Sequence, residues 1–268
     1  MSKPLGARYR ELGPRKFARW VLLKRIGKGS FRRLDRVMAR ASLVPDVPVF
    51  DSGDFPWVKT LEAGAPVVKA ELSTLLEHRE QLRGLHEIQP DQQKIAGDGL
   101  WKAFVLWGYK QRSAWGCARC PETAALLAQI PDLESAWFSI LAPGKHIPRH
   151  AGVTKGVVRC HLGLQVPAPA AGRCEMQVAG QPLHWEEGRC ALFDDSCKHE
   201  VWNDTQEERV VLILDVRRPM RRAGRAAYSL LSALLSLSPF VRDARRNQEA
   251  WEARQDALFP AAAQAASH

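Results

Sequence analysis

Between residues 136 and 216 the apolar positions fall into short runs, each closed by Gly, Pro, Asn or Asp. They are AWFSIL (136–141), VVRCHLGLQV (157–166), CEMQVA (174–179), CALF (190–193), HEVW (199–202) and RVVLILDV (209–216). Runs of this length with no helical pattern between them predict strands of an antiparallel sandwich or barrel, for which the double-stranded jelly roll is one solution. LWKAFVLWGY (100–109) alternates as a further strand, anchored by Trp101 and Trp107. The flanks change period. Leu72, Leu75, Leu76 and Leu82 recur near helical spacing, and TAALLAQI (123–130) predicts a short helix after Pro121.

This patterning divides the chain. Residues 1–43 form a basic helical arm. Residues 44–99 begin with a Pro- and Gly-punctuated linker, VPDVPVFDSGDFPW, and continue into supporting helices. Residues 100–219 form the β core, and residues 220–268 form basic amphipathic helices and an alanine-rich tail. The expected fold is therefore mainly β, an antiparallel sandwich or barrel such as the double-stranded β-helix (jelly roll), with flanking α-helices.

Charge changes the picture at the two ends. The 268-residue chain carries a formal net charge of +10, which favours an anionic partner. In the N-terminal arm Arg15, Lys16, Arg19, Lys24, Arg25, Lys28, Arg32, Arg33, Arg36 and Arg40 interleave with apolar residues. The stretch AYSLLSALLSLSPFV (227–241) lies between Arg217, Arg218, Arg221, Arg222 and Arg225 on one side and Arg242, Arg245 and Arg246 on the other. Both are patterned to lie on an anionic membrane surface, and equally to pack on a domain with a solvated basic face. Nucleic acid is the lesser expectation, because no recognised binding motif accompanies the charge.

No segment reaches the roughly 20 apolar residues of a membrane-crossing helix. The N-terminus lacks the pattern of a signal peptide, and the six cysteines are scattered. The expected location is therefore cytoplasmic, peripheral to the inner face of the membrane if the helices bind it. Cys117 and Cys120 form one CxxC without the second pair that a structural zinc site needs.

Several of these stretches carry a resemblance. LWKAFVLWGY, SILAPGKHIPRHAG, RCHLGLQVP, WEEGRCALFDDSCKHEVWND and the arginine opening RVVLILDVRRP make residues 101–219 resemble the aspartyl/asparaginyl β-hydroxylase family of Fe(II)- and 2-oxoglutarate-dependent dioxygenases. The resemblance implies roles position by position. His150 and His199 match the two iron ligands, and neutral imidazoles suit Fe(II) while leaving coordination positions open. Arg209, with Ser139, matches the grip on the distal carboxylate of 2-oxoglutarate, for which a guanidinium fork is apt. Arg159 and His161 match the pair at the metal end of that co-substrate, and Trp101 lines the same pocket. The implied reaction consumes O₂ and 2-oxoglutarate and hydroxylates an unactivated C–H bond. It calls for no nicotinamide or flavin motif, and none is present.

One position departs from the wider superfamily. Most such oxygenases place an acidic ligand two residues after the first histidine, where this chain has Gly152. The β-hydroxylases resemble this chain in having glycine there, whereas the related lipid A hydroxylases tend to keep aspartate. Asp194 or Asp195 is then expected to hydrogen-bond a water on the metal, or else merely to cap the turn before His199. Gly152 favours an aspartyl or asparaginyl substrate, and the basic ends favour a membrane-lipid acyl chain. A silent jelly-roll binding module and a membrane-surface protein are the non-enzymatic alternatives. The retention of Ser139, Arg159, His161 and Arg209 speaks against both.

Overall fold

A computed structural model describes residues 29, 31–79, 82–88, 93–108, 110–236, 244 and 246–253. Most of the basic arm (residues 1–28 and 30), residues 80–81, 89–92 and 109, the segment 237–243, residue 245 and the tail from residue 254 lie outside the described residues. Two antiparallel sheets form the core. The strands in chain order are β1 (Val49–Phe50), β2 (Arg83–Gly84), β3 (Trp101–Gly108), β4 (Gln111–Arg112), β5 (Leu133–Leu141), β6 (Lys145–His150), β7 (Val157–Gln165), β8 (Cys174–Val178), β9 (Gln181–Leu183), β10 (Cys190–Phe193), β11 (His199–Asn203) and β12 (Arg209–Arg217). The larger sheet runs β1-β10-β7-β12-β5-β3-β2, with β4 on β3, and the smaller runs β6-β11-β8-β9.

The larger sheet is buried on both faces, which is why RVVLILDV reads as an unbroken apolar run. Along β12, Val210, Leu212, Leu214 and Val216 join one core cluster with the helices, while Val211 and Ile213 join a second cluster shared with the smaller sheet. The two-residue repeat of a strand therefore puts Arg209 on the inter-sheet face with Val211 and Ile213. The register Val211↔Ser139 and Ile213↔His161 extends that face across β5 and β7. Arg159 and His161, two apart, share it.

Helices α2 (Trp57–Ala63), α3 (Ala65–Leu76), α6 (Ala114–Arg119) and α7 (Pro121–Leu127) cover the outer face of this sheet. Two short helices, α4 (Leu85–Ile88) and α5 (Gln93–Ala96), precede β3. The Leu-rich helix starts earlier than its leucines suggest and ends at Leu76, leaving Leu82 to a separate turn. Residues expected as linker enter the core sheet: Val49–Phe50 pairs with β10. Cys117 and Cys120 are free and buried, and burial pushes the Cys120 thiol up to about 12, which makes it an inert core group.

A helix over residues 31–40, α1, packs on α8 (Arg222–Ser236) through Met38, Met220, Ala227, Tyr228 and Leu231. The loop 151–156 is pressed between them. A Cβ at Gly156 would collide with the Tyr228 ring and crowd the Met38 sulfur, so only glycine permits this approach. Among the described residues no helix is long and apolar enough to cross a membrane.

Candidate active site

The pocket between the sheets is lined from the larger one by Trp101, Ser139, Arg159, His161 and Arg209, and from the smaller one by His150 and His199. All seven residues singled out for metal and co-substrate thus face one space. His150 closes β6 and His199 opens β11, and the antiparallel register sets them directly opposite each other. Their ring centroids are 4.1 Å apart with planes at 62°.

β6 is the pocket-lining strand that the apolar pattern missed. KHIPRH is charged and interrupted by proline, which is tolerated because β6 is an edge strand. The Pro148 carbonyl has a use: it accepts from His150 Nδ1 at 2.8 Å, as the Cys197 carbonyl accepts from His199 Nδ1 at 2.9 Å. A carbonyl can only accept, so each Nδ1 carries the proton and each Nε2 keeps its lone pair. Burial pushes both imidazoles down, His199 to about 3 with help from His150, so both are neutral near pH 7. Two neutral imidazoles with free Nε2 atoms fit a ferrous ion. Among the described residues no set of three or more His, Cys, Asp and Glu gathers around a common point.

The opposite wall is cationic. Arg209 is 1% exposed, and its Nε and Nη1 find no hydrogen-bond partner. Its guanidinium carbon lies 4.6 Å from the centroid of the Trp185 ring. Burial pulls it down to about 10, an unusual cost for a guanidinium. Ser139 is fully buried and accepts from Trp101 Nε1 at 2.9 Å. Trp185 also donates to His161 Nδ1 at 3.1 Å, which puts the His161 proton on Nε2. Burial, then the Arg209 and Arg159 cations, drive His161 far below the usual range. Trp185 was missed by residue-level reasoning because tryptophan before an acidic turn looks like packing.

Arg159 departs from expectation. Its Nε and Nη2 donate to the two oxygens of Asp215 at 2.8 and 3.0 Å, and Nη1 forms a 2.6 Å ion pair with Asp195 Oδ1 that is not aligned as a hydrogen bond. The register Asp215↔Arg159 makes this a cross-strand charge pair. Most of the guanidinium is spent on aspartates, and its first effect is to aim Asp195.

The two aspartates before His199 divide. Asp194 is turned away from the pocket. Its Oδ1 accepts from Ser196 N and Oγ, and its Oδ2 from Lys155 Nζ at 2.9 Å and Arg218 Nη2 at 2.6 Å. With every oxygen taken, Asp194 has no lone pair directed at the pocket, which corrects the expectation that either aspartate could serve there. Asp195 Oδ1 stands 3.6 Å from His199 Nε2. Burial, reinforced by the Asp215 and Asp194 charges and opposed by Arg159, raises its carboxyl to about 6. The same carboxylate explains Gly152. A Cβ at residue 152 would overlap Asp195 Oδ2, and Gly152 N donates to the Asp195 carbonyl at 2.7 Å. The space that an acidic residue at 152 would need already holds a carboxylate from β11's approach turn.

Residues 62–219 match the family described as aspartyl/asparaginyl beta-hydroxylase. The chain is 38% identical over 205 residues to the ornithine lipid ester-linked acyl 2-hydroxylase of Rhizobium tropici, covering 76% of this chain and 73% of that protein. It is 32% identical over 174 residues to the aspartyl/asparaginyl beta-hydroxylase of Homo sapiens, covering 63% of this chain but only 22% of the human protein. A prolyl-4-hydroxylase from Pseudomonas putida is similar among solved structures, at 20% identity and a TM-score of 0.37 over 57% of this chain and 87% of that one. The chain belongs to the aspartyl/asparaginyl β-hydroxylase family of enzymes.

Proposed function

We propose that the protein is an Fe(II)- and 2-oxoglutarate-dependent hydroxylase acting on the acyl chain of a membrane lipid. The observation that carries the co-substrate reading is Arg209, a buried cation with no carboxylate partner among the described residues, in the same pocket as two free imidazole nitrogens. Such a cation is costly unless an anion joins it, and a dicarboxylate that also reaches the metal meets both needs.

Each residue then has a task. His150 and His199 would hold Fe(II) through Nε2. Arg209 would grip the distal carboxylate, with the Ser139 hydroxyl donating to it and Trp101 fixing that hydroxyl. His161 would donate from Nε2 toward the nearer carboxylate, with Trp185 fixing its tautomer. Asp195, aimed by Arg159, would accept a hydrogen bond from water on the Gly152 side. When bound, iron, O₂ and 2-oxoglutarate supply the oxidation: substrate C–H becomes C–OH while 2-oxoglutarate leaves as succinate and CO₂.

The lipid substrate is supported by likeness to the Rhizobium acyl hydroxylase over most of both chains. The test is anaerobic loading with Fe(II) and 2-oxoglutarate, admission of O₂, and assay of succinate with an ornithine-type lipid or an aspartyl peptide. Lipid-stimulated succinate that disappears in His150→Ala and His199→Ala is expected. Stimulation by the peptide alone would overturn the substrate, and an absence of Fe(II) binding would overturn the reaction.

A further inference from the structure

The exposed large apolar side chains are not spread evenly. Of the eight among the described residues, Val37, Leu43, Val47, Val153, Leu230 and Leu234 sit on four segments that pack on one another, and only Val67 and Leu100 lie elsewhere. Those segments are α1, the chain over residues 43–47, the loop 151–156 and α8. Asp35 of α1 accepts from Thr154 Oγ1 and from Lys155 N, both at 3.1 Å. Tyr228 of α8 seats against Gly156, and Leu43 N donates to the Pro219 carbonyl at 2.9 Å.

The charges on these segments are mostly of one sign, and their two acids, Asp35 and Asp46, are engaged by the loop through Thr154 and Lys155. Arg32, Arg33, Arg36 and Arg40 are exposed on α1, and Arg221, Arg222 and Arg225 at the start of α8. The sequence of α8 contains no acid, and Asp35, the acid of α1 over residues 31–40, is turned to the loop. A cleft of about 280 Å³ at the foot of α8 sets Arg225 beside Leu43, with Arg217 and Arg218 in its lining already paired to Asp132 and Asp194. Apolar side chains set among exposed arginines, with the neighbouring carboxylates Asp35, Asp46 and Asp132 already partnered, suit a bilayer interface carrying anionic headgroups.

We propose that α1, α8 and the loop 151–156 form the face by which the protein lies on an anionic lipid bilayer, setting the His150 end of the pocket against the membrane. Val153, 73% exposed, stands three residues beyond His150 in a loop that leaves a pocket-lining strand. A bilayer against this loop lies beside the pocket that would receive an acyl chain. The inference deepens the lipid reading of the site and rests on it for its purpose, but not for its physical basis.

The test is co-sedimentation of the full chain with vesicles of phosphatidylcholine alone or mixed with phosphatidylglycerol, at low and high salt. Strong binding to the anionic vesicles, weakened by salt, is expected. Each arginine at such a surface is worth roughly fivefold in partitioning, so Arg222→Gln with Arg225→Gln lowers binding about 30-fold by the same scale. Val153→Ser with Leu230→Ser lowers the binding that persists at high salt. All four positions are exposed, and unchanged thermal midpoints confirm that the variants fold. Equal binding to neutral vesicles, full binding by both variants, or capture of oligonucleotides with vesicles ignored would overturn the proposal. Vesicle binding without lipid-stimulated succinate supports the surface and counts against the substrate alone.

Discussion

β12 carries a buried arginine at its start and leads into another one residue past its end, and the two live in opposite circumstances. Arg209 and Arg218 are each 1% exposed, and each lies over an aromatic ring, Trp185 at 4.6 Å and Phe50 at 5.1 Å. Arg218 has Asp194 at 2.6 Å and Asp46 at 3.6 Å. Arg209 has no carboxylate among the described residues. Burial alone therefore does not separate a structural arginine from a binding one. The counter-ion does: the chain supplies it where the charge holds the fold together, and under the proposed function a ligand supplies it to Arg209.

The sharpest break between the two comes from removing each charge. Arg209→Met should weaken 2-oxoglutarate binding by about 2–5 kcal/mol, the cost of truncating one partner of a buried charge pair. The unliganded variant should melt no lower than the parent, since an uncompensated buried cation has gone. Thermal scans with and without 2-oxoglutarate check both halves. A variant still stabilised by the co-substrate would refute Arg209 as its anchor.

Arg218→Met should do the reverse. It strips Asp194 of one of its two cations, and breaking a buried pair costs roughly 3–5 kcal/mol. The retained Lys155 contact at 2.9 Å puts the expected loss at the lower end. Unfolding in urea reads it, and co-substrate affinity should change much less than stability. Equal losses in both variants would erase the contrast.

The sequence showed Arg209 more clearly than Arg218. RVVLILDV places an arginine at the head of an apolar run, and the spacing of Arg159 with His161 puts both on that face. Arg218 looked like part of a basic patch, because its partners Asp46 and Asp194 are remote in sequence and lie in segments that read as linker and turn. β8 and β11 of the smaller sheet were legible as short runs closed by turns, and β5, β7, β10 and β12 for the same reason as Arg209: they lie inside the larger sheet and form apolar runs. β6 was not, since an edge strand can be charged and carry Pro148. The choice between Asp194 and Asp195 also needed three dimensions, because adjacent residues in a turn point to opposite sides.

A smaller effect tests how the two sides of the Asp194–Asp195 turn communicate. Gly152→Ala places a methyl where the Asp195 carboxylate stands, and overpacking of this kind costs about 1–3 kcal/mol. The backbone hydrogen bond from Gly152 N to the Asp195 carbonyl leaves little room to relax. Turnover should fall further than 2-oxoglutarate affinity, because Asp195 is displaced while Arg209 is untouched. An alanine variant with unchanged stability and turnover would mean that the carboxylate has no fixed task there.

The weakest link on the Arg218 side is Asp46, whose carboxylate is bound by Lys155 Nζ at 2.5 Å and lies near Arg218. The Lys155 hydrogen bond is the largest cause holding Asp46 below the usual carboxylate range, against the opposing effect of burial. A group whose folded value is depressed stabilises the fold above its unfolded value, near 4, and loses that contribution as pH falls through the folded value. Its side chain is 47% exposed, so solvent screening leaves only a few tenths of a kcal/mol. Asp46→Asn should therefore remove a shallow loss of stability below about pH 4 and leave the neutral range almost unchanged. Urea midpoints measured across that range decide it. A large loss at neutral pH would show that Asp46, rather than Asp194, is the main counter-ion of Arg218.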